Sequence, residues 1–138
     1  MRIFGMAIAG IAISATAPAS AQSVFDNWLT EDRRAVVTIE RCGSSVCGRI
    51  SRVLVAMESG QRDINNPSPR LRNRTIEGLR VLSGFSRDGN RYRGGEIYDP
   101  EDGRNYNARF RLINANTLRV TGCVLGGIVC QSQDWRRR

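Results

Sequence analysis

Hydrophobic and polar residues alternate along most of the chain with a period of two. In the clearest run, residues 105–113, the apolar members are Tyr106, Ala108, Phe110 and Leu112. The residues between them are polar or charged, and the next run continues the pattern with Leu118, Val120, Gly122 and Val124. A period of two is typical of β-strands with one buried face.

Similar alternation, separated by turn-forming residues, predicts further strands at 35–41, 46–55, 78–85, 91–98 and 128–135, with a short one around Trp28. The intervening turns are rich in Gly, Asn, Asp and Pro. No stretch shows the apolar spacing of a helix of three turns or more. We therefore predict an all-β fold, a small antiparallel up-and-down β-barrel of about eight strands, because closure into a barrel removes exposed sheet edges.

The N-terminal segment has the features of a secretory signal peptide. Arg2 is followed by an apolar stretch from Ile3 to Ile13 and then by the small residues Ala19-Ser20-Ala21. That stretch is too short to span a bilayer, so no transmembrane segment is predicted. We expect residues 1–21 to be removed, leaving 22–138 as a single domain that is soluble and located in the bacterial periplasm or secreted.

The charge composition removes several enzyme classes. All 21 cationic residues are Arg, against 13 acidic residues, and the chain contains neither Lys nor His. Catalytic sets that use His, Schiff-base lysines and histidine zinc sites therefore cannot be built. The Arg residues are spread over many strands, so solvated outer faces explain them better than a nucleic-acid partner. Lipid head groups, lipopolysaccharide or cell-wall acids remain possible anionic partners.

Four cysteines in an exported domain indicate disulfides. Counting outward from Gly126-Gly127 places Cys123 opposite Cys130, and the same count about Ser44-Ser45 places Cys42 opposite Cys47. These two hairpin-closing bonds are the favoured connectivity, and a link between the two hairpins is the alternative. The spacings C-x4-C and C-x6-C are not typical of metal sites, and no metal or cofactor is predicted.

Several short motifs resemble one exported bacterial family. They are Asp63-Ile64-Asn65-Asn66-Pro67, Gly94-Gly95-Glu96-Ile97-Tyr98-Asp99-Pro100, Gly103-Arg104-Asn105-Tyr106 and Leu118-Arg119-Val120-Thr121-Gly122. Together they resemble the family catalogued as domain of unknown function 2147, over almost all of residues 22–138. The resemblance implies a compact barrel of the lipocalin and calycin group, and it implies no established activity. In that group a Trp of the first strand packs under a basic residue from the chain end, here Trp28 with Arg136 or Arg137. The alternative is that Trp28 only fills the core.

One segment, from Met57 to about Arg74, has neither strand nor tight-turn character, and loops of this length often bind something or act as lids. Its arginines suit a carboxylate or phosphate group. The candidate ligand-binding residues are Asp63, Asn66, Arg70, Arg72, Tyr98 and Tyr106. The alternative is structural, with Asp63 paired to Arg70 or Arg72 so that the loop is fixed over one barrel end.

Three classes of function remain open. The first is a binding module that holds a small amphipathic molecule, with its acidic head at Arg70 or Arg72 and its apolar part among Val37, Ile50, Val81, Ile97, Tyr106, Phe110 and Val120. The second is an envelope structural or protein-interaction module with a side-chain-filled barrel. An enzyme is disfavoured, since the carboxylates of Asp99, Glu101 and Asp102 fit a hairpin turn better than general acid-base work. Oligomeric state is not indicated.

Overall fold

The computed structural model describes Gly10 and residues 23–138. The predicted signal peptide and its cleavage site therefore lie outside the described residues, apart from Gly10. No helix in the described part of the chain is long and apolar enough to cross a lipid bilayer.

Eight antiparallel strands close into one barrel in which each strand pairs with its sequence neighbours and the first pairs with the last. The strands are β1 Asn27–Leu29, β2 Ala35–Cys42, β3 Ser45–Val53, β4 Arg80–Asp88, β5 Arg91–Asp99, β6 Arg104–Asn114, β7 Thr117–Val124 and β8 Val129–Arg137. This confirms the predicted all-β, lipocalin-like architecture and the number of strands.

The connections divide between the two ends of the barrel. The tight turns after β2, β4 and β6 and both ends of the described domain lie at one end, which we call the floor. The connection after β1, the long connection 54–79, and the turns after β5 and β7 lie at the other end, which we call the mouth.

The floor is filled by large side chains. Phe110 stacks on Tyr92 with ring centroids 4.9 Å apart, and Phe85 lies 4.8 Å from Phe110. The Phe85 ring packs against the backbone of Gly95 in the adjacent strand β5. A Cβ added at Gly95 would lie 2.6 Å from this ring. Glycine is therefore required at 95, where the ring of a neighbouring strand approaches the backbone closely.

Trp28 and Arg137 close the floor. The Trp28 side chain is fully buried, and its indole nitrogen donates to the carbonyl oxygen of Val24 at 2.9 Å. The Arg137 guanidinium lies over the Trp28 ring, which identifies it, and not Arg136, as the cation of the expected cation-π pair.

Both favoured disulfides are present, Cys42–Cys47 near the floor and Cys123–Cys130 at the mouth. Cys123 lies directly opposite Cys130, as predicted. The register predicted for the other pair is wrong, because Cys42 lies opposite Ser45 and Glu40 lies opposite Cys47. The turn is Gly43-Ser44, with Gly43 at a φ of 65°. Cys42 and Cys47 are consequently diagonal neighbours on one face, which is still within reach of a disulfide.

Candidate functional site

A cavity of about 480 Å³ opens at the mouth and extends into the barrel. Its walls include six of the seven predicted interior residues, which are Val37, Ile50, Val81, Ile97, Tyr106 and Val120. The seventh, Phe110, does not line the cavity, because it is part of the aromatic cluster near the floor. The barrel is therefore filled near the floor and open near the mouth.

Two glycines of the barrel differ in the space that they leave inside it. Gly122 lines the cavity, and the nearest atoms to a Cβ added there would be 3.6 Å away. The space beside Gly48 is occupied by Leu82, whose side chain would lie 2.9 Å from an added Cβ. Of these two positions, only Gly122 leaves room for a ligand.

The rim of the cavity carries more negative than positive charge. Its carboxylates are Asp32, Asp99, Glu101 and Asp102. Among the described residues that line the cavity, Arg34 is the only cation, and its Nη1 lies 3.5 Å from Oε1 of Glu101. Arg34 also donates to the carbonyl oxygen of Ala56 at 3.1 Å. Arg34 was not predicted, because nothing in the sequence places the connection after β1 beside the turn after β5.

The segment from Asp99 to Gly103 is a hairpin turn, as predicted, and it also forms one side of the rim. The amide of Gly103 donates to the Asp99 carbonyl oxygen at 2.8 Å, and the amide of Glu101 donates to the Asp99 carboxylate at 2.9 Å. Burial raises the pKa of Asp99, and the neighbouring Asp102 and Glu101 act in the same direction. The carboxyl group of Asp99 consequently takes up a proton more readily than an ordinary aspartate.

Two further polar groups face the cavity from β8 and were not predicted. Gln131 and Gln133 line it opposite Gly122 and Val120, respectively. Gln133 accepts a hydrogen bond from the indole nitrogen of Trp135 at 3.1 Å. The alternation along β8 could have indicated these positions, because residues 131, 133 and the buried Trp135 lie on the same face of the strand.

Tyr106 lies at the rim, where its hydroxyl donates to the carboxylate of Asp102. This hydrogen bond is the main reason that the pKa of Tyr106 is raised. Tyr106 is thus separate from the candidate residues Asp63, Asn66, Arg70 and Arg72 of the long connection.

Asp63 is the centre of a different cluster. Its side chain is fully buried, and it accepts from the Tyr98 hydroxyl at 2.5 Å, the Asn66 amide at 2.9 Å and the Arg74 guanidinium at 2.9 Å. The backbone amide of Asp63 also donates to the Arg74 carbonyl oxygen at 2.9 Å. Burial first, and then the bond to Asp63, raise the pKa of Tyr98 to about 12. Because it accepts three hydrogen bonds from other side chains of the protein, this carboxylate holds the long connection against β5.

The predicted partners of Asp63 are wrong, because Arg74 and neither Arg70 nor Arg72 forms the ion pair. Arg72 donates instead to the carbonyl oxygen of Asn66 at 2.8 Å, and Arg70 is exposed. Neither arginine lines the cavity. Asn66, Arg74 and Tyr98 border a separate outer groove of about 290 Å³ between the long connection and the barrel wall. The six candidate residues therefore do not form one site.

The exposed apolar side chains at the mouth belong mainly to the turn between β7 and β8. Leu125 and Ile128 are 72% and 84% exposed. Val124 and Val129, which flank them, also line the cavity. An apolar strip therefore continues from the cavity to the outside of the molecule.

Comparison with known proteins supports the fold and the family. A solved structure with a TM-score of 0.74 and 23% identity is described as the protein HP1028 from the human pathogen Helicobacter pylori, which belongs to the lipocalin family. The match covers 84% of this chain and 83% of that one, and at this identity it shows a shared fold. No curated protein matches the chain. The profile of DUF2147, described as an uncharacterized protein conserved in bacteria, matches residues 26–137. The chain therefore belongs to the bacterial DUF2147 family.

Proposed function

We propose that this protein binds a small amphipathic molecule, with the apolar part inside the barrel and the polar head at the mouth. The observation that carries the proposal is the cavity of about 480 Å³ among inward-facing apolar side chains. Ligand pockets commonly measure about 300 to 1,000 Å³. An eight-stranded barrel can be filled by its own side chains or hold one small ligand, and the open half of this barrel supports the second arrangement.

The rim supports a head group different from the one expected from the sequence. An acidic head at Arg70 or Arg72 has no support, because neither residue lines the cavity. Among the described residues, the rim offers four carboxylates and two glutamine amides, and its one arginine is already paired with Glu101. Such groups mainly accept hydrogen bonds, so a hydroxyl or amine head fits better than a carboxylate.

A displacement titration tests this proposal. A fluorescent, uncharged aromatic amine such as 1-aminoanthracene is bound first and then displaced with dodecanol, dodecylamine or dodecanoate. We expect saturable binding, with displacement by the alcohol and the amine at lower concentration than by the acid. Displacement by dodecanoate at the lowest concentration would contradict the head-group assignment. Absence of any saturable binding below about millimolar, where the binding free energy is only about 4 kcal/mol, would contradict a ligand site.

Two neighbouring positions on β8 provide a matched pair of variants. Gln131 lines the cavity, whereas Ser132 points to the outer face, where its hydroxyl contacts that of Thr121 at 2.7 Å. We expect Gln131→Trp to block binding and Ser132→Trp to leave it unchanged. Equal binding by both variants would place the probe outside the barrel.

A second candidate function is contact with another component of the cell envelope through the exposed turn. Leu125 and Ile128 are the observation that favours it, because large exposed apolar side chains side by side often mark contact surfaces. Leu125→Ser with Ile128→Ser should abolish such contact while leaving cavity binding unchanged. Loss of sedimentation with cell-envelope fractions in this double variant would support the contact, and unchanged sedimentation would exclude it.

We also propose that the protein acts outside the cytoplasm. Two disulfides and the absence of a free thiol among the described residues suit an oxidising compartment. The predicted signal peptide gives the same location. Fractionation of cells expressing the full chain tests this, with the expected result being a shortened protein in the periplasm or medium and the contrary result a full-length protein in the cytosol.

A further inference from the structure

The outer wall of the barrel carries a row of like charges across three adjacent strands. The strand register places Arg91 of β5 opposite Arg111 of β6, and Arg111 opposite Arg119 of β7. An acidic residue ends the row on each side, with Asp88 opposite Arg91 and Asp134 opposite Arg119. Neighbouring strands are only about 4.8 Å apart, so the three arginines start from closely spaced backbone positions.

The two acids do not neutralise the middle of this row. Asp134 binds Arg119 through two hydrogen bonds of 2.9 and 3.1 Å, and Asp88 binds Arg93 at 3.1 Å. Within the described residues, no carboxylate lies within 4.0 Å of the side-chain nitrogens of Arg91 or Arg111. Like charges directly opposite each other destabilise a sheet, so this arrangement favours an anion from outside the chain.

Another opposed pair on the barrel shows how the chain compensates such charges elsewhere. Arg49 of β3 lies opposite Arg80 of β4, and Glu40 of the neighbouring strand lies 3.2 Å from the Arg49 guanidinium. No equivalent acid serves Arg91 and Arg111 in the described chain. The uncompensated pair is therefore specific to β5 and β6.

The surroundings of the row indicate the chemistry of the partner. Arg93 and Arg109 are also exposed, on the same two strands, and Asn107 and Ser132 are exposed polar neighbours on this wall. The aromatic rings on these strands nearest the row, Tyr92 and Phe110, are buried, and Tyr98 and Tyr106 are hydrogen-bonded to Asp63 and Asp102 towards the mouth. The described part of the wall around the row therefore offers no platform on which nucleic-acid bases could stack. The large exposed apolar residues lie in loops and at the mouth, so this wall also lacks groups that enter a lipid layer.

We propose that the outer wall of β5, β6 and β7 binds an anionic polysaccharide, with Arg91 and Arg111 holding its acidic groups. Guanidinium groups form paired hydrogen bonds with carboxylates and phosphates, and the neighbouring amide and hydroxyl side chains can bond sugar hydroxyls. This surface is on the opposite side of the barrel wall from the cavity, so the proposal does not depend on a ligand inside the barrel.

Binding to polygalacturonate, with neutral dextran as the control polymer, tests the proposal. Arg91→Gln with Arg111→Gln removes two charges from the row. Arg52→Gln with Arg70→Gln removes two charges from exposed arginines outside it. At fixed ionic strength we expect the first double variant to weaken binding about tenfold or more and the second to weaken it about twofold or less. Equal losses would show that only net charge matters and would overturn the proposal.

The partner class and the folding of the variants are checked in the same experiments. Binding of the unmodified protein to single-stranded DNA or to phosphatidylglycerol vesicles, but not to polygalacturonate, would overturn the assignment to a polysaccharide. The melting temperature of Arg91→Gln with Arg111→Gln should equal or exceed that of the unmodified protein, since opposed like charges are removed. A lower melting temperature would show that these arginines are satisfied within the fold and would overturn the argument for an external anion.

Discussion

The guanidinium carbon of Arg137 lies 4.5 Å from the centroid of the Trp28 ring, although the two residues belong to the last and the first strand of the chain. The same guanidinium donates to Asp26 at 2.8 Å and to the carbonyl oxygens of Ala115 and Ser23 at 2.9 Å each. Arg137 thereby joins the first strand, the last strand and the turn before β7 at the barrel floor.

Arg137→Ala is expected to lower the free energy of unfolding by about 2 to 4 kcal/mol, because it removes a cation-π contact and several hydrogen bonds from a mostly buried group. Arg136→Ala, one residue away and exposed, should change it by about 0.5 kcal/mol or less. Urea denaturation measures both. Similar values for the two variants would contradict the role assigned to Arg137.

The pH dependence of the floor follows from the Asp26 carboxylate. The hydrogen bond from Arg137 holds the pKa of Asp26 below its ordinary value. This contribution to stability is present above the pKa of Asp26 in the unfolded chain and is lost as the pH falls through the lower folded value. Asp26→Asn should therefore show less loss of stability on acidification than the unmodified protein, measured by urea denaturation across the acid range.

Asp63→Ala should lower the free energy of unfolding by about 1 to 3 kcal/mol, since the partly buried Tyr98 hydroxyl and the buried Asn66 amide would lose their acceptor. Arg70→Ala, in the same connection but exposed, is the control and should change it by about 0.5 kcal/mol or less. Should Asp63→Ala also fall within that small range, the carboxylate would have to be assigned a role other than fixing the connection.

Tyr98 provides a prediction at alkaline pH. Its pKa is raised to about 12, so the folded state keeps a proton that the unfolded state releases near the ordinary value of 10.0. The associated stability is complete below that ordinary value and is lost as the pH rises through the folded pKa. Ultraviolet titration of phenolate should show a late-ionising tyrosine in the unmodified protein that is missing in Tyr98→Phe. Loss of the same component in Tyr92→Phe instead would contradict the assignment.

The disulfide pairing can be mapped by trypsin without reduction, because each predicted bond closes within one tryptic peptide. Residues 42–49 and 120–136 each contain both cysteines of a pair and have no internal Arg or Lys. Each peptide should appear alone, lighter than its reduced form by two hydrogen atoms. A product that joins the two peptides would show a link between the hairpins.

The strands were predictable because alternation is a local property, and in β6 the residues of one parity, such as Ala108 and Phe110, are indeed buried. The pairing of Cys123 with Cys130 was predictable for the same reason, since the turn is short and symmetric. The register predicted at Cys42 is wrong because the turn lies one residue earlier than predicted. A shift of the turn by one residue changes the partner of each strand residue by two positions.

The candidate site was less predictable because its contacts cross the fold. Asp63 had several arginines within reach along the same connection, and only the folded backbone selects Arg74. The rim likewise combines Arg34 with Glu101, 67 positions away along the chain. The alternation of inward-facing and outward-facing residues along the strands predicted which residues line the cavity walls. It gave no information on which residues surround the opening.

Fluorescence quenching by a bromine-labelled dodecyl alcohol shows whether the barrel interior accepts an apolar chain. Trp135 lines the cavity, whereas Trp28 is in the floor and does not. We predict saturable quenching of Trp135 with a dissociation constant below about millimolar, and loss of that quenching in the variant Gln131→Phe, which keeps Trp135. Unchanged tryptophan emission throughout the titration would contradict a ligand-binding barrel and favour the envelope interaction module.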